Sequence, residues 1–151
     1  MRSISFSIVL LLFVSLLSFH TDSFGQAKED KIVGVWLVQK KDGKVEVYKK
    51  GDTYFGKIVW MHDPNDSDGK PKTDKNNPEA AKRSTPIQNL TVLSGLKWNG
   101  KDKWENGNIY DPASGKTYSA SVKLKDDNTL EFTGYVGFSF IGRTETWTRT
   151  K

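Results

Sequence analysis

The sequence predicts an all-β domain, an eight-stranded antiparallel up-and-down barrel with one long loop containing a short helix. Three observations carry this. Apolar and polar residues alternate with a period of two in segment after segment, and tight-turn signals separate most of those segments. The 13 glycines and five tryptophans favour turns and β-structure over a helical bundle. Finally, no fixed-period repeat and no βαβ unit interrupts the pattern, which excludes dinucleotide-binding and P-loop chemistry. Half-polar strands give an antiparallel sheet with one wet face, and tight turns make sequential strands neighbours. Closing such a meander removes its open edges.

The first 25 residues read as an address. Met1-Arg2-Ser3 is a short positive start, Ile4 to Leu17 is an apolar run broken by serines, and Ser18 to Gly25 is more polar with small residues. This is the layout of a secretory signal peptide, with cleavage expected before Gln26 and residues 26–151 as one domain. The run falls short of the roughly 20 apolar residues of a membrane span, so the mature chain is expected not to span a membrane. Without a cysteine, a lipid-anchor site is excluded. The expected location is secreted or periplasmic.

Each strand then has its own justification. Ile32 to Val38 is apolar and β-branched, and Lys41-Asp42-Gly43 turns it into Lys44 to Tyr48. Lys50-Gly51-Asp52 leads into Thr53 to Met61. After the long loop come Thr91 to Lys97, a turn at Asn99-Gly100-Lys101, and Lys103 to Tyr110. Asp111-Pro112-Ala113-Ser114-Gly115 is a strong turn, followed by the clean alternation of Lys116 to Leu124. Asp126-Asp127-Asn128 turns into a strand carrying Leu130, Phe132 and Val136. The last strand, Arg143 to Arg149, sets three threonines against Glu145, Trp147 and Arg149.

His62 to Asn89 is the one long connection, and a loop of that length in a compact domain is usually functional or disordered. Within it, Asn77 as N-cap and Pro78 at the first helical position predict one or two helical turns over Glu79 to Arg83.

Composition excludes several chemistries. No cysteine means no disulfide, thiolate nucleophile or zinc ribbon. Removing the leader takes His20 with it and leaves His62 alone, so a paired-histidine metal site is ruled out. The net charge stays +5 because Arg2 and Asp22 leave together. That charge is lysine-rich, with only Arg83, Arg143 and Arg149 as arginines, and bidentate nucleic-acid recognition favours arginine. We therefore read it as a solvated surface with no nucleic-acid partner.

Candidate chemistry is sparse. Asp66-x-Asp68-Gly69 matches the middle of a calcium loop, but Pro64 and Lys75 stand where ligands belong, and an Asp/Asn/Gly turn explains the segment. No metal and no cofactor are expected. His62 beside Asp63, or an Asp111 and Glu145 carboxylate pair, could support hydrolysis, but no nucleophile motif accompanies them. Catalysis is disfavoured and no catalytic residue is assigned. Among the aromatics, Tyr118 and Phe132 read as core, whereas one of Trp98 and Trp104, which flank a turn, could be exposed, and exposed indoles near the mouth could stack on a ligand.

Gly34-Val35-Trp36 on the first strand and Arg149 on the last would meet in a closed barrel, with the guanidinium stacked on the indole. This pattern resembles the calycin superfamily of lipocalins, fatty-acid-binding proteins and avidins, in which such residues are structural. Gly34, Trp36 and Arg149 are accordingly assigned to barrel closure.

From Ile32 to Lys151 the chain resembles the bacterial exported family known as domain of unknown function 2147. The resemblance rests on Gly34-Val35-Trp36, Gly56-Lys57-Ile58-Val59-Trp60, Asp68-Gly69-Lys70-Pro71-Lys72-Thr73-Asp74, Gly107-Asn108-Ile109-Tyr110-Asp111-Pro112 and Gly142-Arg143-Thr144-Glu145-Thr146-Trp147, among others. It implies a lipocalin-like barrel and no particular activity. Some members carry paired cysteines near the third strand, where this chain has Tyr54 and Phe55. The family's polar motif positions fall on Asp74, Asn76, Asn77, Tyr110, Asp111 and Arg143, which with Trp60 form the candidate ligand site. The alternative is that each polar residue fixes its own turn. The expected function is non-covalent binding of a small amphipathic or apolar molecule. A filled barrel serving as an interaction module for an envelope protein or glycan is the alternative.

Overall fold

A computed structural model of the chain describes residues 27–135 and 142–150. The leader, its cleavage before Gln26, and Val136 of the expected seventh strand lie outside the described residues.

Eight strands run in sequence order around a closed antiparallel barrel. They are β1 Gly34–Leu37, β2 Gly43–Lys50, β3 Thr53–Met61, β4 Thr91–Trp98, β5 Lys103–Asp111, β6 Lys116–Asp126, β7 Thr129–Tyr135 and β8 Gly142–Arg149. The ring closes where Trp36 of β1 pairs with Arg149 of β8 and Leu37 with Thr148. No helix among the described residues is long and apolar enough to cross a membrane.

The expected first strand is shortened at its start. Ile32 belongs instead to a 3₁₀ helix, Lys28–Ile32, which lies across one end of the barrel and buries that side chain. A short helix with its carbonyls facing a barrel end needs donors for them, and the barrel supplies them. The Glu29 carbonyl accepts from Trp104 Nε1 at 2.9 Å, and the Ile32 carbonyl from Trp36 Nε1 at 2.8 Å. Arg149 donates to the carbonyls of Lys31 and Val33. The Tyr54 hydroxyl reaches the Asp30 carboxylate at 2.7 Å.

Arg149 also stacks on Trp36, with its guanidinium carbon 4.2 Å from the ring centroid. Gly34 makes room for it. A β-carbon there would stand 2.5 Å from Arg149 Nη1, and the backbone φ of +142° suits glycine. Trp36, Tyr54, Leu96, Trp104 and Leu130 fill this half of the interior.

The helix expected over Glu79 to Arg83 is a correction. Only a single 3₁₀ turn forms, Ala80–Lys82, and its N-cap residue is Glu79, without a side-chain cap. Asn77 is held elsewhere: its Nδ2 donates to Asp74 at 2.6 Å while its Oδ1 accepts the Glu79 N–H at 2.9 Å.

Candidate functional site

The opposite half of the barrel is hollow. A cavity of about 870 Å³ opens among the β1–β2 connection, the long loop and the β5–β6 turn. Its walls are apolar, formed by Val45, Ile58, Val92, Ile109, Phe132 and Trp147. Charged groups of both signs ring the mouth, including Lys40, Asp42, Lys72 and Arg143.

Local sequence explains the space. Along β7 the inward positions run Leu130, Phe132, Gly134, and along β2 they run Val47, Val45, Gly43, so both strands taper to glycine at the open end. A β-carbon on Gly134 would meet nothing nearer than 3.9 Å. Along β8, Arg143, Glu145 and Trp147 face the cavity, with Arg143 at the rim and Trp147 at the floor. The Arg143 Nε and the Glu145 carboxylate are 3.4 Å apart. Trp147 stacks on Phe132, with centroids 4.7 Å apart and planes 6° from parallel.

Four of the expected site residues meet in a clasp beside the mouth. Asp74 is 0% exposed, and its two carboxylate oxygens accept from the Tyr110 hydroxyl and from Asn77 Nδ2, each at 2.6 Å. Burial, and then the hydrogen bond to Asp74, push the Tyr110 phenol up to about 12. Asn76 Nδ2 donates to the Ala113 carbonyl at 2.8 Å, and its own carbonyl sits against Gly115, whose φ is +69°. A β-carbon on Gly115 would collide with it. This clasp ties the long loop to the end of β5 and to the turn beyond it.

Asp111 lines the cavity, but both its carboxylate oxygens bind their own turn, accepting from the Ala113 N–H at 3.0 Å and the Ser114 hydroxyl at 2.6 Å. Asp66 does the same in the long loop, accepting the N–H groups of Asp68 and Lys70. Among the described residues, no three His, Asp or Glu side chains gather as a metal site.

Trp60 stands apart from the cavity. Period two would place it inward with Tyr54, Gly56 and Ile58. A register shift opposite Lys44 and Val45 turns it out, and Ile58 and Met61 line the cavity instead. Trp60 is 39% exposed, with Lys44 over its ring and His62 at its edge. Of Trp98 and Trp104, Trp104 is buried and Trp98 only partly so.

The wall residues Val45, Ile58, Phe132 and Trp147 were not among the expected ligand-binding residues. One signal for them was present: three threonines on one face of β8 mark that face as outer, which places Glu145 and Trp147 inside.

Comparison with known proteins agrees with this architecture. A bacterial family described as "Uncharacterized protein conserved in bacteria (DUF2147)" matches residues 34–149. The chain belongs to this family. Among solved structures, a DUF2147-like barrel has a counterpart in Helicobacter pylori, protein HP1028, described as belonging to the lipocalin family. It is 28% identical with a TM-score of 0.67, over 79% of this chain and 82% of that one. No curated protein matches the chain. This DUF2147 member is a lipocalin-like barrel whose interior is packed at one end and open at the other.

Proposed function

We propose that this chain is an exported barrel that binds a small amphipathic or apolar molecule without forming a covalent bond. The observation that carries the reading is the cavity of about 870 Å³ with apolar walls and a charged mouth. That volume is the size of a small-molecule site, and such walls supply affinity while a few polar groups set orientation. Export is carried by the leader: the mature N-terminus, read by mass spectrometry, is expected to be Gln26.

Native mass spectrometry of the protein purified from its own envelope tests the binding. The wild type should carry a bound organic mass, and Gly134→Leu, which fills the cavity, should not. Two clean spectra, with no ligand retained on either, would overturn the reading. A second reading, docking of a glycan or envelope protein, rests on Trp60 exposed on the outer face beside Lys44 and His62. Trp60→Ala would abolish that docking and leave the cavity ligand in place.

A further inference from the structure

Among the described residues, three tryptophans are almost wholly buried inside the barrel, and one of them has no acceptor for its indole N–H. Trp36 and Trp104 donate their indole N–H groups to carbonyls of the 3₁₀ helix. Trp147 is 4% exposed, and its Nε1–H is buried with no acceptor among the described residues. Buried indole N–H groups find an acceptor as a rule. This one belongs to a side chain that lines the cavity, on the apolar floor beside Phe132.

We propose that the ligand supplies the acceptor: an apolar molecule that enters with a neutral carbonyl oxygen leading and takes the Trp147 Nε1–H. This deepens the binding reading above and rests on it.

The oxygen is neutral because of Glu145. It lies one inward step nearer the mouth, with its side chain 24% exposed, beside an Arg143 that is 73% exposed at the rim. A leading carboxylate would pass the rim cations and share a low-dielectric space with a second carboxylate. A ketone, aldehyde or ester oxygen needs no counter-charge. Fatty acids would instead sit tail-first, with their heads among the rim cations. The indole nitrogen is covered by its neighbours, so the ring or a neighbour turns to admit the oxygen. Side-chain adjustments of this kind are common on binding.

Three probes of equal chain length separate the possibilities: methyl nonyl ketone, undecanoic acid and undecane, titrated into wild type and Trp147→Phe. The variant keeps an aromatic ring against Phe132 and removes only the donor. Ketone affinity should fall roughly tenfold, the worth of one hydrogen bond, while acid and alkane affinities hold. In the nitrogen-labelled wild type, the Trp147 indole N–H resonance should move downfield with the ketone and not with undecane. That shift decides the matter alone if the variant does not fold.

A larger loss for the acid than for the ketone overturns the neutral acceptor. Equal losses for all three make Trp147 a wall and nothing more. Either result leaves the binding reading standing. Failure of all three probes to bind the wild type overturns both.

Discussion

The two ends of the barrel use the same eight strands to opposite effect. At the 3₁₀ end, Trp36, Tyr54 and Trp104 fill the interior; the helix carbonyls accept from the two indoles and from Arg149, and the Asp30 carboxylate accepts from the Tyr54 hydroxyl. At the other end, β2 and β7 finish inward on Gly43 and Gly134, and the space stays open. The difference teaches that closure and filling are separate decisions. Strand number sets the girth of a barrel, and the volumes at alternate inward positions decide what occupies it. One end is therefore predicted to carry stability and the other to carry binding.

The largest effect should come from Trp36→Ala, which opens a void in the packed half and frees the Ile32 carbonyl. It should cost about 3–5 kcal/mol, read from urea midpoints. Asp74→Ala leaves the Tyr110 hydroxyl and Asn77 Nδ2 without their acceptor, and should cost about 2–4 kcal/mol. Faster hydrogen exchange confined to the long loop would show that the clasp acts locally. Arg149→Lys keeps the charge but loses the planar fork, for a cost of about 1–3 kcal/mol. Gly134→Leu should change stability by less than about 1 kcal/mol while abolishing retained ligand. Should Gly134→Leu destabilise the fold more than Trp36→Ala, the division between the ends would fail.

Titration sharpens the same comparison. Tyr54 at the packed end is raised to about 12 by burial and by its bond to Asp30, and Tyr110 at the open end to about 12 by burial and Asp74. A phenol raised in the folded state contributes stability that is complete below its unfolded value of about 10 and is lost as pH rises through 12. On the acid side, hydrogen bonds from Lys49 and then from Tyr54 hold the Asp30 carboxyl below its usual range. Its contribution is present above the unfolded value of about 3.9 and disappears as pH falls through the lower folded one. Tyr54→Phe should therefore flatten both the acid and the alkaline limbs of a stability profile, and Tyr110→Phe should flatten the alkaline limb.

Much of the fold was legible because strand alternation and turn chemistry are local. The meeting of Trp36 and Arg149 was legible too, since closing the ring makes the first and last strands neighbours. The outward turn of Trp60 was not legible, because a bulge arises from pairing with another strand and leaves no mark in its own segment. Asn77-Pro78 reads as a helix start, yet the buried carboxylate of Asp74 competes for the same side chain and wins. Nothing local reveals that the carbonyls of Glu29, Lys31, Ile32 and Val33 would be matched by two indoles and a guanidinium. The Trp147 nitrogen, unpartnered among the described residues, is likewise a property of the assembled interior. The family pattern offered Asp74, Asn77 and Tyr110 as candidate ligand residues, and their arrangement as a loop clasp required their distances.

The seam between β1 and β8 has a consequence for how the chain comes to be folded. Two register pairs cross it, Trp36 with Arg149 and Leu37 with Thr148, and just beyond β8 the Thr150 N–H donates to the Val35 carbonyl. The neighbouring hairpins β2–β3, β5–β6 and β6–β7 draw on near neighbours in sequence, but this junction waits for the C-terminus. High sequence separation makes such contacts late and slow. Until β8 arrives, β1 and β7 present raw edges that invite pairing with other chains. A chain clipped before Thr148 is therefore not a smaller barrel but an open sheet with two adhesive borders, whose fate is self-association.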